Sequence, residues 1–286
     1  MTASRNTPLD DQVIRLADGR SLAYASWGVE DGPPVVLLHR AAGSRLFDPD
    51  PEATAAAAVR LLTLDRPGYG GTSPVSDPWR RDAANDVTAL LDVLELDDVA
   101  LVGWSGGGQF AVEAAAALGD RARSLILVAT PAPDEEVGWL DDDMRGMAAM
   151  IRDDPVAAMP AVLEAVQFIV EHPDEMAAAD PSPADAQLRD QPEVLAALVA
   201  MTREGLRAGP HGSAFDVVTG SREDPLPLDR VRVPVQLWYG EEDPIGVEHG
   251  RWYAERFADA TLTVVPGAGH LLPLEHWREI LAAAVR

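Results

Sequence analysis

Short β-type runs separated by stretches of helical period recur along most of the chain, and this alternation constrains the fold more than any other feature. A strand followed by a helix can rejoin its neighbour only through a crossover, so the sheet it builds is parallel. The expected strands are Val13–Leu16, Leu22–Trp27, Val35–His39, Arg60–Leu64, Val99–Trp104, Ser124–Ala129, Val235–Tyr239 and Leu262–Val265. Helical patterns cover Asp82–Leu96, Gln109–Leu118, Val247–Phe257 and Leu274–Val285. The first two strands are instead joined by Asp18-Gly19, a hairpin signal. From about residue 134 to 225 the rhythm breaks. No strand pattern occurs there, but apolar residues recur on helical faces, as at Met159, Val162, Leu163, Val166 and Ile169–Val170. The expected organisation is one α/β core, residues 1–133 and 226–286, with a helical insertion at 134–225 after the sixth strand.

Composition removes several kinds of chemistry. The 286 residues include no Cys, which excludes disulfides, thiolate metal sites and a cysteine nucleophile. All 23 basic residues are Arg, so a Schiff-base lysine and a P-loop lysine are excluded as well. The net charge of −24 opposes general binding to nucleic acid or to anionic membrane surfaces. The first residues, MTASRNTPLDDQ, lack the apolar core of a signal peptide. The longest apolar run, Val194 to Met201, is far short of the roughly 20 residues of a spanning helix. A soluble, cytoplasmic protein acting on a small molecule is expected, with a monomer and a homodimer both compatible with the sequence.

The chemistry concentrates at Val99-Ala-Leu-Val-Gly-Trp-Ser-Gly-Gly-Gly108, where Gly103-x-Ser105-x-Gly107 stands between a strand and a helix. A sharp turn there lifts a serine hydroxyl out of the sheet, and flanking glycines relieve the crowding. The Gly106 N–H, at the positive end of the helix, then faces a developing oxyanion. A bland Gly-rich turn is the competing reading, but no Lys follows and the dinucleotide spacing of glycines is absent. Serine needs a base and an orienting acid. Of six histidines, His270 lies in Pro266-Gly-Ala-Gly-His-Leu-Leu-Pro273, just past the last strand, and is the expected base. His39 ends a strand and is expected to tie down its loop. His249 and His276, on helices, are expected at the surface; His172 and His211 belong to the insertion, lining a pocket or facing solvent. For the acid, Asp243 in Tyr239-Gly-Glu-Glu-Asp243 is favoured over Asp134, with Glu241 and Glu242 read as a solvated pair. No metal or cofactor is required by this chemistry.

With these segments in hand, the sequence resembles the α/β-hydrolase superfamily over nearly all of the chain outside the insertion. The resemblance rests on Leu38-His39 with Gly43-Ser44-Arg45, on Asp65-Arg-Pro-Gly-Tyr-Gly70, on the Ser105 elbow, on Gly240-Glu-Glu-Asp243 and on Gly267-Ala-Gly-His270. It implies an eight-stranded, mostly parallel sheet flanked by helices, with 134–225 as a helical cap. It also implies that Ser105, Asp243 and His270 form the family's triad, and that the Ala41 N–H joins Gly106 in the oxyanion hole. Epoxide hydrolases and dehalogenases of this superfamily usually carry Asp as nucleophile, which Ser105 disfavours. Asp65-Arg-Pro-Gly-Tyr-Gly reads as a structural turn.

One departure stands out. Where the family usually has His-Gly-x-Pro-Gly, this chain has His39-Arg40-Ala41-Ala42-Gly43. Arg40 either points to solvent, pairs with a substrate carboxylate or an acidic cap residue, or marks a damaged oxyanion hole. Trp104 either walls the substrate pocket or packs behind the elbow. The insertion holds all six methionines beyond Met1, suited to a pliable apolar pocket or to filling gaps between helices. It carries 20 acidic residues against 6 Arg, −14 of the total −24. The resulting expectation is a serine esterase for a neutral, fairly apolar ester of small to medium size. Amide, lactone or peptide cleavage is the alternative within hydrolases. A cyclase, a lyase or a ligand-binding pseudoenzyme is the alternative outside them.

Overall fold

The computed structural model describes residues 7–179 and 182–286; the first six residues of the N-terminal segment discussed above lie outside this range. Eight strands form one sheet: β1 (Asp10–Arg15), β2 (Ser21–Gly28), β3 (Pro34–Leu38), β4 (Arg60–Leu64), β5 (Val99–Trp104), β6 (Ala122–Val128), β7 (Val235–Gly240) and β8 (Ala260–Val265). Their order is β1-β2-β4-β3-β5-β6-β7-β8, antiparallel at β1/β2 and β2/β4 and parallel elsewhere. Burial follows position in the sheet. Central β5 is apolar and buried along its whole length, whereas edge strand β1, with Asp10, Asp11 and Gln12, is exposed over most of its residues.

Around the core sheet lie α1 (Pro51–Ala56), α2 (Arg80–Val93) and α3 (Gly107–Leu118). Between β6 and β7 come α4 (Asp142–Asp153), α5 (Pro155–Glu171), α6 (Pro173–Ala178), α7 (Pro183–Arg189), α8 (Pro192–Leu206) and α9 (His211–Ser221). The chain closes with α10 (Val247–Ala254) and α11 (Pro273–Ala284). The starts of the inserted helices are written in the sequence. Proline occupies the first turn of α5, α6, α7 and α8, where its missing N–H costs nothing. Asp141, Asp154 and Ser182 accept hydrogen bonds from the first-turn amides of α4, α5 and α7.

Alternate residues of each strand face opposite layers. Val36, Leu38, Leu62 and Leu101 pack under α2, α3 and α10, while Val35, Leu37, Leu61 and Val102 pack under α1, α11 and α8. The insertion has an apolar centre of its own, in which Ile151, Val162, Val166, Ala214 and Val218 join α4, α5 and α9. The six methionines do not share a lining. Met201 is in the main core, Met147 and Met159 pack on the insertion's centre, and Met144 and Met150 are exposed.

This topology positions the site. The order in which strands are added reverses at β3, with β4 on one side of it and β5 on the other, so a crevice opens outside the carboxyl ends of the parallel strands β3 and β5. The loops after β3, β5, β7 and β8 all leave that same edge, and they carry Arg40–Ala41, Ser105, Asp243 and His270.

Candidate active site

Ser105 follows β5 directly and has φ +56°, a left-handed conformation that costs a side chain of the L series about 1–2 kcal/mol. The surroundings hold it there: its N–H donates to the Val128 carbonyl at 2.8 Å, and its carbonyl accepts from Gly108 N–H at 2.9 Å. The two glycines of the motif are needed for close approach. A Cβ at Gly103 would meet Gly108 Cα at 2.4 Å, and one at Gly107 would meet the Leu38 carbonyl at 2.2 Å.

Across from the elbow, His270 Nε2 lies 2.9 Å from Ser105 Oγ. Its Nδ1 lies 3.1 Å from each Asp243 carboxylate oxygen. A carboxylate only accepts, so Nδ1 carries the proton and Nε2 is left as an acceptor toward the serine hydroxyl. Asp243 is buried in the turn after β7, where it also receives the Ile245 N–H at 2.9 Å. The structure therefore brings Ser105, His270 and Asp243 together. Asp134 is elsewhere, accepting from the Trp139 and Leu140 amides and pairing with Arg145, and Glu241 and Glu242 are exposed.

The loop after β3 makes a turn in which Gly43 N–H donates to the Arg40 carbonyl at 3.1 Å and Ala42 has φ +55°. Its neighbours fix each face. His39 is buried, its Nδ1 2.7 Å from the Arg40 carbonyl, while its Nε2 accepts from Arg66 N–H at 3.3 Å. Burial and the nearby Arg66 cation push the His39 pKa well below the ordinary imidazole range, so it serves as a neutral strut. The Ala42 N–H donates to Tyr69 Oη at 3.2 Å, and that hydroxyl donates to Asp216 of α9 at 2.7 Å. Asp216 also pairs with the fully buried Arg66. Ala41, Ser105, Gly106 and His270 keep partial solvent contact although the residues next to them in the chain, apart from one another, are buried. The Ala41 and Gly106 amides are not engaged by any hydrogen bond among the described residues.

Several placements differ from the sequence expectations. Arg40 does not point to solvent; it is 8% exposed, with its Cζ 5.5 Å over the Trp104 ring. Trp104, 1% exposed, takes the place behind the elbow and so cannot wall a pocket; its Nε1 donates to the His270 carbonyl at 3.0 Å and Phe47 stacks on it. His249 is buried, not at the surface, because α10 turns it inward to accept the Ala132 N–H at 2.9 Å. Two further residues that no local motif marks support the site. Asp185 of α7 accepts the N–H groups of His270 at 2.9 Å and Leu271 at 2.7 Å, and Tyr69, read as part of a turn, anchors the loop carrying Ala41. A cavity of about 190 Å³ lies between the 67–78 loop and α5 and α9, lined by Met159, Leu163, His211 and Phe215, and none of Ser105, Asp243 and His270 borders it.

A family model described as the alpha/beta hydrolase family matches residues 27–284. The chain belongs to the alpha/beta hydrolase family. This hydrolase is 31% identical over 264 residues to a pimeloyl-[acyl-carrier protein] methyl ester esterase of Chromobacterium violaceum, covering 88% of this chain and 92% of that one. Among solved structures, a bromoperoxidase from Bacillus anthracis aligns with TM-score 0.73 at 22% identity, over 96% of this chain and 98% of that one. An esterase from Exiguobacterium antarcticum aligns with TM-score 0.69 at 20% identity, over the same shares. These structures show the shared fold. No described helix of the hydrolase is long and apolar enough to cross a membrane.

Proposed function

We propose that this hydrolase cleaves a carboxylic ester of small to medium size through an acyl-enzyme, with Ser105 as nucleophile. The observation that carries this reading is His270, hydrogen-bonded to Ser105 Oγ on one side and to Asp243 on the other. Ser105 attacks the ester carbonyl as His270 Nε2 takes its proton. Asp243 keeps the imidazole in the required tautomer and stabilises its charged form. The free N–H groups of Ala41 and Gly106 receive the oxyanion, helped by the N-terminal end of α3. His270 then passes the proton to the leaving alcohol, and water activated by the same imidazole releases the acid.

Helices α4–α9, residues 134–225, act in this reading as a cap on the site, and the bonds from Asp185 and Asp216 to the core loops support it. The acyl body is expected to be largely apolar. The test is treatment of the native protein with a fluorophosphonate, followed by mass spectrometry and an ester panel graded by acyl length. An adduct on Ser105, and loss of turnover in a folded Ser105→Ala variant, are expected. An unlabelled Ser105, or turnover retained in that variant, overturns the mechanism.

A further inference from the structure

Four arginines are buried among the described residues: Arg40, Arg45, Arg66 and Arg80. Three have carboxylate partners. Arg45 pairs with Asp65, Asp11 and Glu204, Arg66 with Asp216, and Arg80 lies 3.7 Å from both Glu113 and Asp224. Arg40 has no ion pair and no side-chain hydrogen bond among the described residues, and its Nη1 is fully enclosed without a partner. Asp185 does not bond to it either. Asp185 favours the Arg40 charge from a distance, but its two oxygens already receive the His270 and Leu271 amides. Arg189, of the same sign, opposes it. Burial, with Arg189, lowers the Arg40 pKa to about 10, which leaves the group cationic at neutral pH.

A buried cation with unused donors is costly, and native structures keep one where something else supplies the acceptors. Here the cation stands between His39 and Ala41 and lies over Trp104, the residue before Ser105. Its guanidinium edge away from the enclosed Nη1 suits two oxygens of one carboxylate, and the adjacent indole offers it a flat apolar backing. In a chain of net charge −24, an anionic group would need such a local cation to settle.

We propose that Arg40 is a carboxylate-binding residue, and that the substrate carries a second, ionised carboxylate beside the ester that is cut. This rests on the ester-hydrolase reading above. The carboxylate belongs either to the acyl half or to the alcohol half, and the same chemistry recognises both.

The test compares kcat/KM for each charged ester with its neutral counterpart. Monomethyl esters of linear diacids from succinate to adipate, set against their dimethyl esters, probe the acyl half. Butyrate esters of hydroxy acids, set against the methyl esters of the same compounds, probe the alcohol half. The wild-type enzyme is expected to favour the acid by ~10–100-fold in one arm, chiefly through KM. Arg40→Met is expected to bring that ratio to about one, with Arg40→Lys, which keeps the charge, in between. Indifference to charge in both arms, or a preference that survives Arg40→Met, overturns the proposal; if Arg40→Met does not fold, the wild-type and Arg40→Lys ratios decide. Calorimetric titration of glutarate into Ser105→Ala, with and without Arg40→Met, reads binding apart from catalysis. Hydrolysis without charge preference refutes the carboxylate site alone. Arg40-dependent glutarate binding without hydrolysis refutes the ester reading alone, and absence of both refutes the two together.

Discussion

Replacing Asp185 tests how the inserted helices support the His270 loop. The carboxylate is 0% exposed and receives two backbone N–H groups, from His270 and Leu271. Hydrogen bonds to a charged acceptor contribute about 1.5–3 kcal/mol each, so the pair is worth roughly 3–6 kcal/mol before the cost of burying the charge. Asp185→Ala strands both amides while removing that cost, and a net loss of about 2–4 kcal/mol in unfolding free energy is expected. Asp185→Asn is expected to be no milder. One amide oxygen still accepts, but the NH2 group turns a donor toward a donor. Urea unfolding measures the stability, and ester hydrolysis well below the transition measures the site. With its backbone tether gone, His270 should lose alignment with Ser105, lowering kcat by ~10-fold or more. An Asn variant within about 0.5 kcal/mol of wild type and with full kcat would refute the account, since it would mean that the two bonds neither stabilise nor position the loop.

Three further outcomes are expected. Tyr69→Phe removes the acceptor of the Ala42 N–H and a donor to Asp216, so stability should fall by about 1–3 kcal/mol and kcat more than KM should suffer, both readable from unfolding curves and steady-state kinetics. Burial pushes the Asp48 carboxyl up to about 7 although Thr54 and the Asp50 amide partly offset it. The raised pKa means that the folded protein holds this proton more tightly than the unfolded chain. Its stabilising contribution is full below the unfolded carboxylate range and is lost as pH rises through about 7, so Asp48→Asn should raise the melting temperature at about pH 8 and not below about pH 4. Ser105→Ala and Ser105→Gly should be equally inactive, yet the Gly variant should unfold with on the order of 1 kcal/mol more stability, because φ +56° suits glycine.

The sheet was legible because β/α alternation admits few arrangements, and all eight strands fall where expected within a few residues. The largest difference at a strand end is instructive. β1 begins at Asp10 rather than Val13, since an edge strand pairs through its backbone with β2 and leaves polar side chains in water. Helix α1 is too short to show an apolar period, and only Asp50-Pro51 marks it: Asp50 accepts from the Glu52 and Ala53 amides. Ser105, His270 and Asp243 could be nominated because each lies in a distinctive local segment. Asp185 and Tyr69 could not be, since their roles depend on partners 85 and 27 residues away along the chain, with no local pattern to betray them. His249 shows the same limit: a helix pattern does not say which face the sheet will cover.

Distance along the chain has a further consequence, for the order in which the protein becomes an enzyme. Ser105 and His270 are separated by 165 positions, and Asp243 stands 27 before the histidine. During synthesis the elbow, the loop at Ala41 and every inserted helix therefore precede the histidine out of the ribosome. Contacts of such long range also carry a larger entropy cost of loop closure than local ones. The groups that hold Ser105 at φ +56°, the Val128 carbonyl and the Gly108 N–H, thus all precede His270 in the chain. The contact between Ser105 and His270 exists only once the segment after β8 has docked between Trp104 and Asp185.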